Sequence, residues 1–147
     1  MSEHKATIKW SNDSDTLAYA TYTRDHLWSF HSHQVPASAA PDYLGSEARV
    51  DPEEAYVASL SSCHMLTFLA IAAKRKLIVD QYVDNAVGYL QKNENGQLAI
   101  TRVVLHPEVS FGGGSAVTQS DLESLHHGAH ENCFIANSVK TVVEVEL

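Results

Sequence analysis

Apolar residues are most concentrated between residues 51 and 76, where only Ser, Thr and His side chains interrupt a run that covers nearly every angle around a helix axis. The run begins with Asp51 and Pro52, which suit the N-cap and the first turn of a helix, and it ends with basic residues at 74–76. This pattern predicts one long helix over residues 51–76. A helix that is apolar all round must be covered all round, so we expect a sheet, a partner subunit or both to bury it.

Three strands are predicted before this helix. Residues 6–10 alternate between apolar and polar, and residues 17–22 and 26–31 are rich in the β-branched and aromatic residues that favour strands. The segment from Val35 to Gly45 has few large apolar residues. We therefore predict a loop there that leads into the long helix.

A hairpin and a second helix are predicted after the long helix. Residues 79–91 and 98–109 form two long strands around Asn-Gly at 95–96, a strong hairpin signal. A shorter helix follows over residues 118–131, then helical turns over 134–140 and a strand over 141–147. The glycines at 112–114 lack the Lys and Ser or Thr of a phosphate loop, so they predict a turn.

This order of elements predicts an α+β fold, in which a strongly bent antiparallel sheet of about six strands packs on one long central helix. We find no internal repeat and no linker, so residues 1–147 are expected to form a single domain. One sheet cannot enclose the long helix on all sides. The sequence therefore predicts a homodimer in which two central helices pack together.

Charge narrows the classes of partner. The chain carries 10 Lys plus Arg against 18 Asp plus Glu, and its formal net charge of −8 argues against nucleic acid or an anionic membrane as a partner. The N-terminus lacks the apolar run of a signal peptide, so we expect a cytoplasmic protein. In that reducing compartment, the two cysteines are expected to be catalytic, redox-active or merely buried.

Cys63 lies in the middle of the predicted helix, too far from its N-terminus to be activated by the helix dipole. Apolar surroundings raise the pKa of a thiol and make it inert. Cys63 is therefore either a small core residue or a nucleophile served by a cation from elsewhere in the protein. Among the cations, Arg24 taken alone is expected to be a surface residue paired with Asp25.

Two motifs resemble those of the OsmC/Ohr family, named for osmotically inducible protein C and organic hydroperoxide resistance protein. Residues 51–63, Asp-Pro-Glu-Glu-Ala-Tyr-Val-Ala-Ser-Leu-Ser-Ser-Cys, resemble the Asn-Pro-Glu-Glu/Gln-Leu…Ala…Cys signature. Residues 130–140 resemble the second motif, in which a Cys opens a helix. The resemblance extends over nearly the whole chain. It implies a thiol-dependent peroxidase that reduces organic hydroperoxides as part of a stress response, and an intertwined homodimer with active sites at the subunit interface.

The resemblance also implies roles for individual residues. Cys63 corresponds to the peroxidatic cysteine, Cys133 to the resolving cysteine and Glu53 to the glutamate of the family motif. Arg24 is the best match to the family's arginine, and Arg49 is the second candidate. Asp51 in place of Asn, and His64 directly after the nucleophile, depart from the common pattern and suggest a separate OsmC-like branch.

The implied reaction converts Cys63 to a sulfenic acid, which then condenses with Cys133 to a disulfide. A guanidinium would stabilise the thiolate, and Glu53 would orient it. No bound cofactor is expected, and an external dithiol, lipoyl-type or similar, would reduce the disulfide.

Glu53 and Cys63 lie ten residues apart, or roughly 15 Å along a helix. An Arg side chain could span this gap, the helix could break near 59–62, or Glu53 could serve the Cys63 of the other subunit. We expect an active site that combines both chains.

Two other classes of function fit parts of the sequence. His126, His130 and Cys133 are spaced to share one helix face, as metal ligands can be, but no fourth donor accompanies them and solvated or capping histidines suit the pattern better. Neighbouring His127 is expected to point elsewhere. The same fold without catalysis would give a binding protein for hydrophobic small molecules. In both cases, alkylation of Cys63 would leave the function intact.

Overall fold

The computed structural model describes all 147 residues, which cluster into two compact units, Met1–Ala55 and Tyr56–Leu147. In the N-terminal unit, strands β1 (Thr7–Lys9), β2 (His26–Phe30) and β3 (His33–Ala37) form an antiparallel sheet in that order. A 3₁₀ turn follows at Pro41–Tyr43. The expectation of a single domain stays a prediction.

Two sequence predictions in the N-terminal unit are wrong. Residues 17–22 form a turn, in which the backbone N–H groups of Thr21 and Tyr22 donate to the carbonyl of Ala18, rather than a strand. Conversely, β3 occupies part of the predicted loop. Pro36 lies within β3, and the strand tolerates it because β3 is at the edge of its sheet.

Helix α1 (Pro52–Lys74) confirms the predicted long helix. Its start is fixed by reciprocal hydrogen bonds: the Glu54 N–H donates to Asp51 Oδ1 at 2.7 Å, and the Asp51 N–H donates to Glu54 Oε2 at 3.1 Å. Its buried face repeats every four residues, at Leu60, His64, Phe68 and Ala72.

Within the single chain α1 is only partly covered, and its expected cover by a partner subunit stays a prediction. The face opposite the buried one carries Ser62, Leu66 and Ala70, which are exposed, and Leu66 retains 60% of its accessible surface. One apolar face of α1 is therefore open in the monomer. By length and composition α1 could also cross a membrane, a criterion that the core helix of a soluble protein meets as well.

The two predicted long strands are each interrupted once. The first becomes β4 (Ile78–Asp84) and β5 (Val87–Lys92), and the second becomes β6 (Leu98–Leu105) and β7 (Pro107–Gly112). The pairs β5–β6 and β4–β7 are antiparallel, and the predicted turn is confirmed by Gly96, which has a φ of 75°. At the interruption, the Asp84 carboxylate accepts hydrogen bonds from the His106 N–H and the Ser61 hydroxyl.

Helix α2 (Gln119–Asn132) confirms the second predicted helix and begins with a capping box between Thr118 and Asp121. A 3₁₀ turn at Ala136–Ser138 follows, and strand β8 (Val142–Val145) then pairs in parallel with β6. The α+β class is confirmed. The sheet differs from the prediction, because eight strands form three sheets and one pairing is parallel.

Two apolar clusters form the core of the C-terminal unit. One lies between α1 and α2 and contains Phe68, Ala72, Leu125 and Ala129. The other packs Leu60 of α1 against Val103 and Leu105 of β6. Helix α1 is thus held by α2 towards its C-terminal end and by the sheet nearer its middle.

Candidate active site

The two cysteines come together in the C-terminal unit. Cys63 is half-buried on α1, and Cys133 is fully buried at the C-cap of α2. Neither cysteine is in a disulfide, so both thiols are free. Burial raises the pKa of Cys133, and the neighbouring Cys63 thiol raises it further. The N–H of Ala136 approaches the Cys133 sulfur at 3.4 Å and acts in the opposite direction.

The two thiols are suited to different tasks. A half-buried cysteine can be reached by an oxidant, whereas a buried thiol with a raised pKa is protonated and unreactive towards solutes. Once the accessible sulfur is oxidised, however, the buried thiol beside it can attack it without diffusion. This arrangement is capable of reversible disulfide formation between α1 and α2.

Next to the thiols, His64 of α1 forms a buried pair with His126 of α2. His64 Nε2 lies 2.9 Å from His126 Nδ1, and the two ring planes are within 7° of each other. The side chains are 1% and 3% exposed. The pKa of both is lowered from 6.5 to about 4, mainly by burial; for His64 the nearby His126 and His130 contribute to the lowering and Asp84 opposes it. Both rings are therefore neutral near pH 7, so one nitrogen donates and the other accepts.

Sequence reasoning missed this pair and assigned His126 to a solvated or capping position, which is wrong because His126 is buried. A usable signal was present in α1, where His64 falls on the same four-residue repeat as Leu60 and Phe68. His127 does point away, as predicted: its side chain is 74% exposed and lies 3.3 Å from Glu131.

Several buried polar atoms around the pair have no hydrogen-bond partner. They are His64 Nδ1, His126 Nε2, His130 Nδ1 and Tyr82 Oη. Burial raises the pKa of Tyr82, so its hydroxyl is a neutral donor and acceptor. No group of three or more His, Cys, Asp or Glu side chains is arranged to hold a metal ion.

The other two predicted site residues belong to the N-terminal unit, where Arg24 and Glu53 line one pocket of about 610 Å³. The rest of its lining is mostly apolar and includes Ile8, Trp10, Leu17, Tyr22, Ala39, Ala40, Tyr43 and Pro52. Ser38 also lines the pocket, and its buried Oγ has no hydrogen-bond partner. The size and the apolar lining are typical of a small-molecule site.

Arg24 is held in this pocket by aromatic and backbone contacts. Its guanidinium lies 3.7 Å from the centre of the Tyr22 ring and donates to the Tyr22 carbonyl at 2.6 Å. The expectation that Arg24 pairs with Asp25 is wrong, because Arg49 forms that ion pair at 3.1 Å. Of the two candidate arginines, only Arg24 therefore lines the pocket with Glu53.

Helix α1 continues from Pro52 to Lys74, so the predicted possibility of a break near residues 59–62 is wrong. Along this helix, Glu53 and Cys63 are separated by roughly 15 Å.

A family model described as OsmC-like protein matches residues 45–147. The chain belongs to the OsmC family. An OsmC-like protein of unknown function from Vibrio cholerae is 52% identical, with 99% of each chain covered and a TM-score of 0.93. The resemblance inferred from the two cysteine motifs is thereby confirmed.

More distant OsmC structures share the fold. An organic hydroperoxide resistance protein OsmC from Legionella pneumophila is 16% identical, with 100% of this chain and 96% of that chain covered and a TM-score of 0.73. The organic hydroperoxide resistance protein OhrB of Bacillus subtilis is also 16% identical, with 99% and 97% covered and a TM-score of 0.68. Comparison with curated proteins gives no match.

Proposed function

We propose that this OsmC protein is a thiol-dependent peroxidase that reduces organic hydroperoxides to alcohols. The observation that carries the proposal is that two free thiols lie near each other, the half-buried Cys63 and the buried Cys133. The Legionella and Bacillus proteins of the same fold are named organic hydroperoxide resistance proteins, which supports this reaction class.

In the proposed reaction, the Cys63 thiolate attacks one peroxide oxygen and the O–O bond breaks. The leaving alkoxide takes a proton to become the alcohol, and Cys63 becomes a sulfenic acid. The Cys133 sulfur then attacks the Cys63 sulfur and loses its proton, and the hydroxyl of the sulfenic acid leaves as water. The resulting disulfide is reduced by an external dithiol, such as a lipoyl-bearing protein of the cytoplasm, through thiol–disulfide exchange.

We assign peroxide binding to the pocket that contains Arg24 and Glu53. Its apolar lining favours an alkyl or lipid-derived group, and the guanidinium supplies charge-assisted hydrogen bonds for the peroxide oxygens. Hydrogen peroxide and water have no alkyl group, so an apolar lining does not strengthen their binding. The proposal therefore includes a preference for organic over inorganic peroxide.

The open face of α1 supports a homodimer, because an exposed helix face carrying Leu66 and Ala70 is costly in water and a second copy presents the same surface. In this dimer, the Arg24 pocket of one copy would serve the cysteines of the other. Mixing Cys63→Ser chains with Glu53→Ala chains tests this arrangement. Recovery of activity in the mixture is expected, and its failure to appear would count against shared sites.

Steady-state turnover tests the reaction directly. Wild type should consume cumene hydroperoxide faster than hydrogen peroxide when a dithiol is supplied. Cys63→Ser should abolish turnover, and Cys133→Ser should allow the first oxidation but block disulfide formation. The chain has only these two cysteines, so no third thiol can take the place of a substituted one. Undiminished turnover by Cys63→Ser would rule out the peroxidase.

The apolar pocket also favours a second function, a binding protein for hydrophobic small molecules. The two functions differ in their dependence on sulfur. Binding of a fluorescent fatty acid that survives alkylation of Cys63, together with no peroxide turnover by the untreated protein, would favour the binding protein.

A further inference from the structure

The interface between α1 and α2 presents Cys63 to Cys133 and His64 to His126. On α1 the two residues are adjacent in sequence, and on α2 they belong to the last two turns and the C-cap. Each helix therefore contributes one sulfur and one imidazole to the same interface. Any shift of α2 along α1 that changes the histidine contact also changes the distance between the sulfurs.

The remainder of this interface is mostly apolar, with Phe68 and Ala72 packed on Leu125 and Ala129. Apolar packing is non-directional, so it favours contact without fixing one position along the helix. Outside the thiols, two side-chain hydrogen bonds add direction. One is the buried His64–His126 bond, and the other is exposed, from Arg75 to Ser124 at 3.0 Å beyond the C-terminal end of α1.

The histidine bond is costly to break because each ring depends on the other. His64 Nδ1 and His126 Nε2 have no partner, so the mutual bond is the only side-chain hydrogen bond that either imidazole makes. Phe68 covers the His126 ring at 4.5 Å and limits its rotation. Loss of one ring leaves the other ring buried without any hydrogen-bond partner. The free-energy cost of such an unpaired buried group exceeds the net stabilisation that an ordinary hydrogen bond provides.

We propose that His64 and His126 are positioning residues, whose mutual hydrogen bond holds Cys133 against Cys63 for disulfide formation. A disulfide requires a narrow range of sulfur positions, so a small displacement of α2 strongly lowers the effective concentration of one thiol at the other. This inference rests on the proposed function in one respect, because the disulfide is an intermediate of the proposed peroxidase reaction.

The test is the equilibrium between the free thiols and the disulfide, measured in mixtures of reduced and oxidised dithiothreitol without any peroxide. His64→Leu and His126→Leu remove the hydrogen bond, and we expect each to lower the disulfide equilibrium constant at least about tenfold. His64→Gln and His126→Asn place an amide where the bonded ring nitrogen lies, and they should stay within about threefold of wild type.

Two further variants separate positioning from general stability. Leu122→Ala weakens apolar packing in the cluster between the same helices, and Ser124→Ala removes the other hydrogen bond across them. Both should leave the disulfide equilibrium within about threefold of wild type, although Leu122→Ala should lower the melting temperature. A merely structural role for the histidines predicts instead that the equilibrium follows the melting temperature in every variant.

The outcomes distinguish this inference from the proposed function. If wild type forms the disulfide in the redox buffer and the Leu variants lower its equilibrium constant, but wild type does not turn over peroxide, the peroxidase is wrong and the positioning role stands. If the Leu variants form the disulfide as readily as wild type, the positioning role is wrong whatever the peroxide turnover. If wild type forms no disulfide at all, both are wrong.

Discussion

The buried histidine pair makes folding stability depend on pH in a range where surface carboxylates change little. Both imidazoles have a pKa of about 4 in the folded protein and 6.5 when solvated. Between these values the unfolded chain binds protons that the folded chain does not, so stability is complete above about pH 6.5 and falls as the pH is lowered towards 4. The loss from about pH 7 to about pH 5 is roughly 2 kcal/mol if one ring behaves in this way and roughly 4 kcal/mol if both do.

Urea unfolding at the two pH values measures this loss, and two variants serve as controls. The double variant His64→Gln/His126→Asn keeps a hydrogen bond across the helices but removes both titrating rings, so most of the pH dependence should disappear. His127→Gln removes an exposed ring and should keep the wild-type loss. His130, Asp84 and Tyr82 remain in all three proteins. A double variant that loses as much stability as wild type would refute the argument.

Three further substitutions test other parts of the structure. Gly88→Ala should destabilise the protein by about 1–3 kcal/mol in urea unfolding, because its Cβ would lie 2.4 Å from a methyl group of Val57. Thr118→Ala should cost about 1 kcal/mol in the same assay, because it removes one half of the capping box with Asp121. Arg24→Lys should lower kcat/KM for cumene hydroperoxide at least about tenfold while leaving the dithiothreitol equilibrium of the disulfide unchanged, because Lys keeps the charge but not the planar fork that stacks on tyrosine.

Local signals in the sequence predicted the elements that depend on local contacts. Helix α1 begins where Asp51 and Glu54 cap each other, and the hairpin turns at Gly96. The interruption of the long strands was not predicted, although Asp84, Asn85 and Pro107 are residue types that often end strands. It depends on Asp84, whose carboxylate binds groups that are distant in sequence. The parallel pairing of β8 with β6 was also missed, because it joins strands that are distant in sequence.

The candidate site divides in the same way. The importance of Cys63 and Cys133 was inferred from two motifs, and the structure places the two thiols near each other. The pairing of His64 with His126 could not be inferred, because the two residues are separated by 62 positions and no local pattern links them. The surroundings of Arg24 were also missed, since a charged residue beside Asp25 suggests an ion pair that Arg49 in fact makes.

The central claim is that Cys63 and Cys133 act together as a redox pair for organic peroxide. It is tested most directly by adding one equivalent of cumene hydroperoxide to the fully reduced protein and measuring its intact mass together with its free thiols. We expect the loss of both thiols and of two hydrogen atoms, with a sulfenic acid on Cys63 in the Cys133→Ser variant. Protein that keeps both thiols while the peroxide remains unconsumed would contradict it.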